Sequence, residues 1–178
     1  MLRRTIWGGR PGAGMAAVDA ETFDAEAFAG GIRHPHLQRF FAYWQAKADG
    51  REMPVRADLD PMDFRYVLGY VILVDVERPL RFRFRLYGSG LVNYFGDGDY
   101  TGKYADQLLP NDYAPFVVQA YTTAVEGRVP RYAERDLVMN RQRLIYDVLT
   151  LPLADPKRPG EIGMLAIVML PIERKPVH

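Results

Sequence analysis

The stretch Leu80-Arg81-Phe82-Arg83-Phe84-Arg85-Leu86-Tyr87 decides the fold class. Phe82, Phe84 and Leu86 alternate strictly with Arg81, Arg83, Arg85 and Tyr87, the period of two by which a β-strand sends successive side chains to opposite faces. One face is dry and the other carries cations, the pattern of an antiparallel strand with a core on one side and water on the other. The preceding residues 70–76 are rich in β-branched side chains, and only Glu77-Arg78-Pro79 separates the two runs. The pair reads as a hairpin.

Toward the C-terminus, Gly88-Ser89-Gly90 breaks the strand, and residues 91–95 form a short helix ending at Gly96. Gly98, Asp99 and Gly102 mark a loop, and residues 104–109 a helical turn closed by Pro110. Asp112 is placed to cap a longer helix, in which Phe116, Val117, Ala120, Tyr121 and Ala124 recur at helical spacing up to Gly127. Three strands follow at 131–139, 143–153 and 162–172, divided by the turn Asn140-Arg141-Gln142 and the Pro/Gly-bearing loop 155–160.

Toward the N-terminus, Asp60 with Pro61 starts a short helix reaching Leu68 and stopping at Gly69. Further back, Leu37, Phe40, Phe41, Trp44 and Ala48 fall at i, i+3, i+4, i+7 and i+11, one apolar stripe of a helix ending near Gly50. Residues 1–31 are Gly/Ala-rich with few periodic apolar positions, and read as a mobile arm with one helical turn at 20–28. The expected organisation is an arm at 1–31, a domain at 32–173 and a tail at 174–178.

Composition removes whole classes of chemistry. The 178 residues contain no Cys, which excludes disulfides, Cys-ligated metals, thiol nucleophiles and the cysteinyl–flavin adduct of some photosensors. There is one serine, Ser89, and the histidines are His34, His36 and His178; nothing in the sequence places Ser89 beside a histidine. A net charge of +1 leaves no electrostatic footprint for nucleic acid or an anionic membrane, so neither is an expected partner. The N-terminus lacks the apolar run of a signal peptide, and the longest apolar stretch, 162–172, is about half a membrane span. The expected location is the cytoplasm.

The motif candidates resolve mostly to structural roles. Gly88-x-Gly90 lacks the third glycine of a dinucleotide fingerprint, with Asn93 in its place; glycine here reads as a supplier of positive φ in a strand-to-helix turn. Residues 97–104 fail the phosphate-loop pattern at Asp97 and Tyr104, and the calcium-loop pattern at Leu108. His34 and His36 read as solvated residues at a helix start, and no metal site is expected. Asp60 reads as a cap, and Asp63 sits in a first turn that favours an anion. Arg81, Arg83 and Arg85 read as cross-strand ion-pair partners, with Glu134, Asp136 and Asp147 on other strands as candidate acids, or as a grip on an anionic ligand. No catalytic residues are assigned.

The middle segment is aromatic. Phe84, Leu86, Asn93, Tyr94, Tyr104, Phe116, Tyr121 and Met164 are the candidates for lining a small-molecule pocket between helices and sheet. A filled core is the other reading of the same residues.

The element order predicts an α+β fold: a five-stranded antiparallel sheet with helices inserted between strands two and three, preceded by an amphipathic N-terminal helix. The run 37–44, Met53-Pro54 with Asp58-x-Asp60-Pro61, Phe84-Arg85-Leu86-Tyr87-Gly88, Thr101-Gly102 and the run 149–153 resemble, in order and spacing, a bacterial single-domain PAS family known chiefly from alphaproteobacteria. The resemblance spans about 37–172. It implies a sensory or regulatory module without an output domain, acting through small-molecule binding, an unidentified protein partner or homodimerisation. It names no cofactor. Haem-binding PAS sensors usually carry an axial His on the longer helix, and 112–126 has none, which argues against haem.

Two function classes follow. In the regulatory reading, the helix bearing Leu37, Phe40, Phe41 and Trp44 docks across the sheet or pairs with a second copy. Each such side chain contributes about 1.5–3 kcal/mol on burial. In the alternative, a small α+β barrel-like enzyme of isomerase or hydrolase type would use a buried Asp beside a tyrosine, with Asp147 and Tyr146 the nearest pairing. Adjacent strand residues face opposite ways, which counts against that pair.

Overall fold

The structure, a computed structural model, describes residues 23–96, 98–108, 113–139 and 141–176. It contains the expected five-stranded antiparallel sheet, in the order β2-β1-β5-β4-β3. The strands are β1 (Val71–Glu77), β2 (Arg81–Tyr87), β3 (Arg131–Met139), β4 (Gln142–Ala154) and β5 (Ile162–Pro176). Helices α1 (Ala25–Gly31) and α2 (Pro35–Ala48) precede the sheet, and α3 (Ser89–Phe95) and α4 (Ala114–Gly127) cross between β2 and β3.

Local chemistry explains the element ends. The Asp24 carboxylate accepts from the amides of Glu26 and Ala27 and starts α1. The helix thus begins later than the turn expected at 20–28. His34 caps α2 through Nδ1, which accepts from the His36 amide at 3.1 Å, with Pro35 in the first turn. Asp60 accepts from the Met62 amide as expected, but the helix it starts is a single 3-10 turn, Pro61–Phe64, followed by another at Leu68–Tyr70. The caps expected from Asp112 and Pro110, and most of the arm (residues 1–22), lie outside the described residues. β5 runs past the expected end at 172, because Arg143 and Gln142 of β4 pair with Lys175 and Pro176. Residues 174–176 therefore belong to the sheet and not to a tail.

Ladder partners share a face, so the pairings sort the sheet into two sides. The inner side, under α3 and α4, carries Ile72, Val74, Phe84, Tyr87, Tyr146, Ile167 and Met169. The outer side carries Leu73, Leu149, Leu151, Ala166 and Val168, and α2 lies across it. Leu37, Phe40, Phe41 and Trp44 are all buried there, and the Trp44 indole N–H donates to the Pro152 carbonyl at 2.9 Å.

Two expectations about the deciding stretch need correction. Strict alternation does not hold through Tyr87. Leu73 pairs with Leu86 and Val74 with Phe84, leaving Arg85 in a β-bulge. The extra residue turns Leu86 to the outer side and brings Tyr87 inward, where it is buried. The arginine stripe also has different partners. Arg81 pairs with Asp106, Arg85 with Asp75, and Arg83 donates to the Gly102 carbonyl. Glu134, Asp136 and Asp147 lie toward the opposite edge of the sheet and engage Arg33, Arg143 and the Tyr132 hydroxyl.

Gly88 is corrected too. Its φ is −60°, within reach of any residue. What requires glycine is close approach: a Cβ there would stand 2.3 Å from the Gly69 carbonyl oxygen and 3.0 Å from the Tyr70 amide nitrogen.

Candidate functional site

The inner side of the sheet is an aromatic layer. Phe84 meets Tyr87 edge to face at 5.6 Å, Phe82 meets Tyr121 at 5.5 Å, and Tyr87 meets Tyr100 at 5.5 Å. Further along, Phe95 packs on Tyr146 at 5.5 Å. Such edge-to-face contacts add to area burial and hold each ring in place. Between these rings, α4 and the end of the Leu108 turn lies a cavity of about 20 Å³. That is room for about one water molecule.

Its wall is built by register and helical spacing. Ile72, Phe84, Tyr87 and Met169 come from the sheet, and Tyr113, Val117 and Tyr121 from successive turns of the α4 segment. The hydroxyls of Tyr113 and Tyr146 are hydrogen-bonded at 3.1 Å in the buried layer. Burial holds the Tyr121 and Tyr146 phenols far above the usual tyrosine range, so both stay neutral.

The eight pocket candidates separate into groups. Phe84 and Tyr121 line the cavity. Tyr94 is buried beside it, but its hydroxyl lies 2.9 Å from the Ile145 carbonyl and 2.7 Å from that of Glu173, tying α3 to β4 and β5. Burial lifts this phenol to about 12. Phe116 is exposed, 6.0 Å from the Tyr113 ring, with the Arg135 guanidinium 5.0 Å from its own. Asn93 is exposed, and its carbonyl accepts from Arg174. Tyr104 stands apart, its hydroxyl donating to Glu77 at 3.1 Å and its ring under Arg81. Leu86 and Met164 are on the outer side, the latter through its pairing with Leu153. The other residues lining the cavity, outside those eight candidates, are Ile72, Tyr87, Phe95, Leu108, Tyr113, Val117 and Met169. The i, i+4, i+8 spacing of Tyr113, Val117 and Tyr121 was an available signal; the bulge that brings in Tyr87 was not.

The pair proposed for the enzyme alternative is divided by the sheet. Tyr146 faces inward to Tyr113, while Asp147 is buried on the outer side and accepts from the Tyr132 hydroxyl at 2.8 Å. The geometry does not favour that alternative.

A central five-stranded antiparallel sheet in the order 2-1-5-4-3, with its helices crossing between strands two and three, defines a PAS-type α+β fold. The PAS domain family model matches residues 32–166, and the chain belongs to that family. Among solved structures, the PAS domain of BvgS from Bordetella pertussis is similar, with 20% identity and a TM-score of 0.50, over 65% of this chain and 88% of that one. A domain of an HTR-like protein from Haloarcula marismortui ATCC 43049 matches at 15% identity and a TM-score of 0.42, over 58% and 96%. No functionally curated protein matches the sequence.

Proposed function

We propose that this PAS module is a sensory or regulatory unit that responds to a small molecule, to a protein partner or to both. In this reading it works as a homodimer in the cytoplasm, as a bacterial PAS protein of alphaproteobacterial type. Among the described residues no helix is long and apolar enough to cross a membrane.

One relation supports the reading above all. Val148 and Met169 pair on the inner side, and their neighbours Leu149 and Val168 pair on the outer side, where α2 lies. A single sheet thickness therefore separates the aromatic layer from the N-terminal helix. Displacing an inner ring would shift the strands on which Phe41 and Trp44 rest, because close-packed interiors transmit strain. PAS modules pass signals through such flanking helices and through dimer contacts.

The test is thermal unfolding with a size-fractionated bacterial metabolite extract, paired with sedimentation equilibrium. A ligand present at about 100 times its Kd stabilises the fold by about 2.7 kcal/mol, a shift of several degrees. A raised Tm or a dimer mass supports the proposal. An unshifted Tm in a strict monomer contradicts it.

A further inference from the structure

A second cavity, of about 260 Å³, lies at the free edge of β3, away from the inner aromatic layer. Arg131, Ala133 and Arg135 line it from the inner side of β3, Thr150 from β4 and Ala120 from α4. On the other side of the β3 pleat, Phe23, just ahead of the Asp24 cap, and Phe28 of α1 complete the lining.

Its charge is one-sided. Arg131 and Arg135 line it, and no Asp or Glu does. The acids of β3, Glu134 and Asp136, point to the opposite face and are engaged by Arg33 and Arg143. Among the described residues, Arg131 has neither an ion-pair partner nor a hydrogen bond from its side chain. Its guanidinium lies against the last turn of α4, with Nη1 3.5 Å from where a Cβ on Gly127 would stand. Burial pushes this group down from the usual arginine range, and the charge of Arg135 acts in the same direction. Arg135 rests on the Phe116 ring and likewise has no carboxylate partner among the described residues. Two half-covered guanidinium groups with no carboxylate partner among the described residues raise the local positive potential of the cavity, which favours an anion.

We propose that this cavity binds a small organic carboxylate, its headgroup held by Arg131 and Arg135 and its apolar body by the alanine and phenyl lining. Guanidinium presents a planar fork that matches a carboxylate. Ligand sites for drug-sized molecules begin at about 300 Å³, so this one suits a body of about six carbons. The site deepens the sensory reading by naming the ligand's chemistry, and rests on it only for the biological consequence. It also explains how occupancy would reach the N-terminal flank. A seven-residue helix such as α1 is too short to be stable alone. It is fastened by Phe28, whose ring lies 5.0 Å from that of Phe41, and a ligand touching Phe23 and Phe28 would hold it further.

The experiment is calorimetric titration of the full chain with hexanoate, adipate and the neutral control hexanamide. It is repeated with the double variants Arg131→Gln/Arg135→Gln and Arg131→Lys/Arg135→Lys, each checked for an unchanged thermal transition. At least one carboxylate is expected to bind, at least tenfold more tightly than hexanamide. The Gln pair is expected to lose at least tenfold, the Lys pair less. Amide exchange at 25–31 should slow with the bound carboxylate. No binding by either carboxylate, equal binding of hexanamide, or full binding to the Gln pair overturns the site. An extract-induced Tm shift undiminished in the Gln pair also overturns it while leaving the sensory reading intact. Carboxylate binding without an extract shift in a monomeric chain supports the site and counts against the sensory reading.

Discussion

The hydroxyl oxygens of Tyr113, at the start of α4, and Tyr146, in the middle of β4, lie 3.1 Å apart inside the aromatic layer. This bond joins the helical cover to the sheet at a point closed to water. Tyr146→Phe removes it without changing the shape of the ring. We expect a loss of about 1–2 kcal/mol, read from urea unfolding. The double change with Tyr113→Phe should cost less than the sum of the two single changes.

The phenols give the fold an alkaline limit. Tyr94 is lifted by burial to about 12, above its unfolded value of 10, and Tyr121 and Tyr146 are pushed higher by the same cause. A raised folded pKa means that the unfolded chain gives up its proton first. These groups therefore contribute their full stability below pH 10, and it is lost as pH rises through 10 to 12 and beyond. Urea midpoints should fall between pH 10 and 11, with a shallower slope in Tyr94→Phe. Phenolate absorbance should show the three buried tyrosines ionising only with unfolding.

Helix α2 is bound to its own sheet, so its apolar stripe acts on stability. Phe41 is 1% exposed, and Trp44 is anchored to Pro152. Phe41→Ala should cost about 3–5 kcal/mol in denaturant unfolding. Trp44→Phe should cost less, since it keeps most of the packing and loses the 2.9 Å hydrogen bond.

Gly88 is required by proximity. Because its Cβ would fall 2.3 Å from the Gly69 carbonyl oxygen, Gly88→Ala must push apart two backbone segments. We expect about 1–3 kcal/mol of destabilisation in the same unfolding assay. Gly50→Ala meets no atom within 4 Å and strains only a φ of +78°. The two variants thus separate a steric cost from a conformational one.

Most of the fold was legible because its signals are local and periodic. The alternation from Arg81 to Phe84, the stripe from Leu37 to Ala48 and the turn residues between strands each report one element. The order of elements then leaves one topology with a covered inner face. The site was only half legible. Phe84 and Tyr121 were readable from period alone. Tyr87 was not, since one bulged residue at Arg85 exchanges the faces of everything after it. Phe116 was misplaced by less than one helical turn: the stripe that α4 buries runs through Ala114, Val117, Tyr121 and Ala124. The partners of Arg81 and Arg85 were hidden because ion pairing depends on strand order, which sequence spacing does not carry.

The central claim is that this PAS fold serves as a sensory unit through a ligand or an assembly. Native mass spectrometry of the purified chain, compared with its mass under denaturing conditions, tests it most directly. The account predicts a dimer, or a protomer carrying extra mass that departs on denaturation. An empty monomer whose mass is the same under both conditions would contradict it.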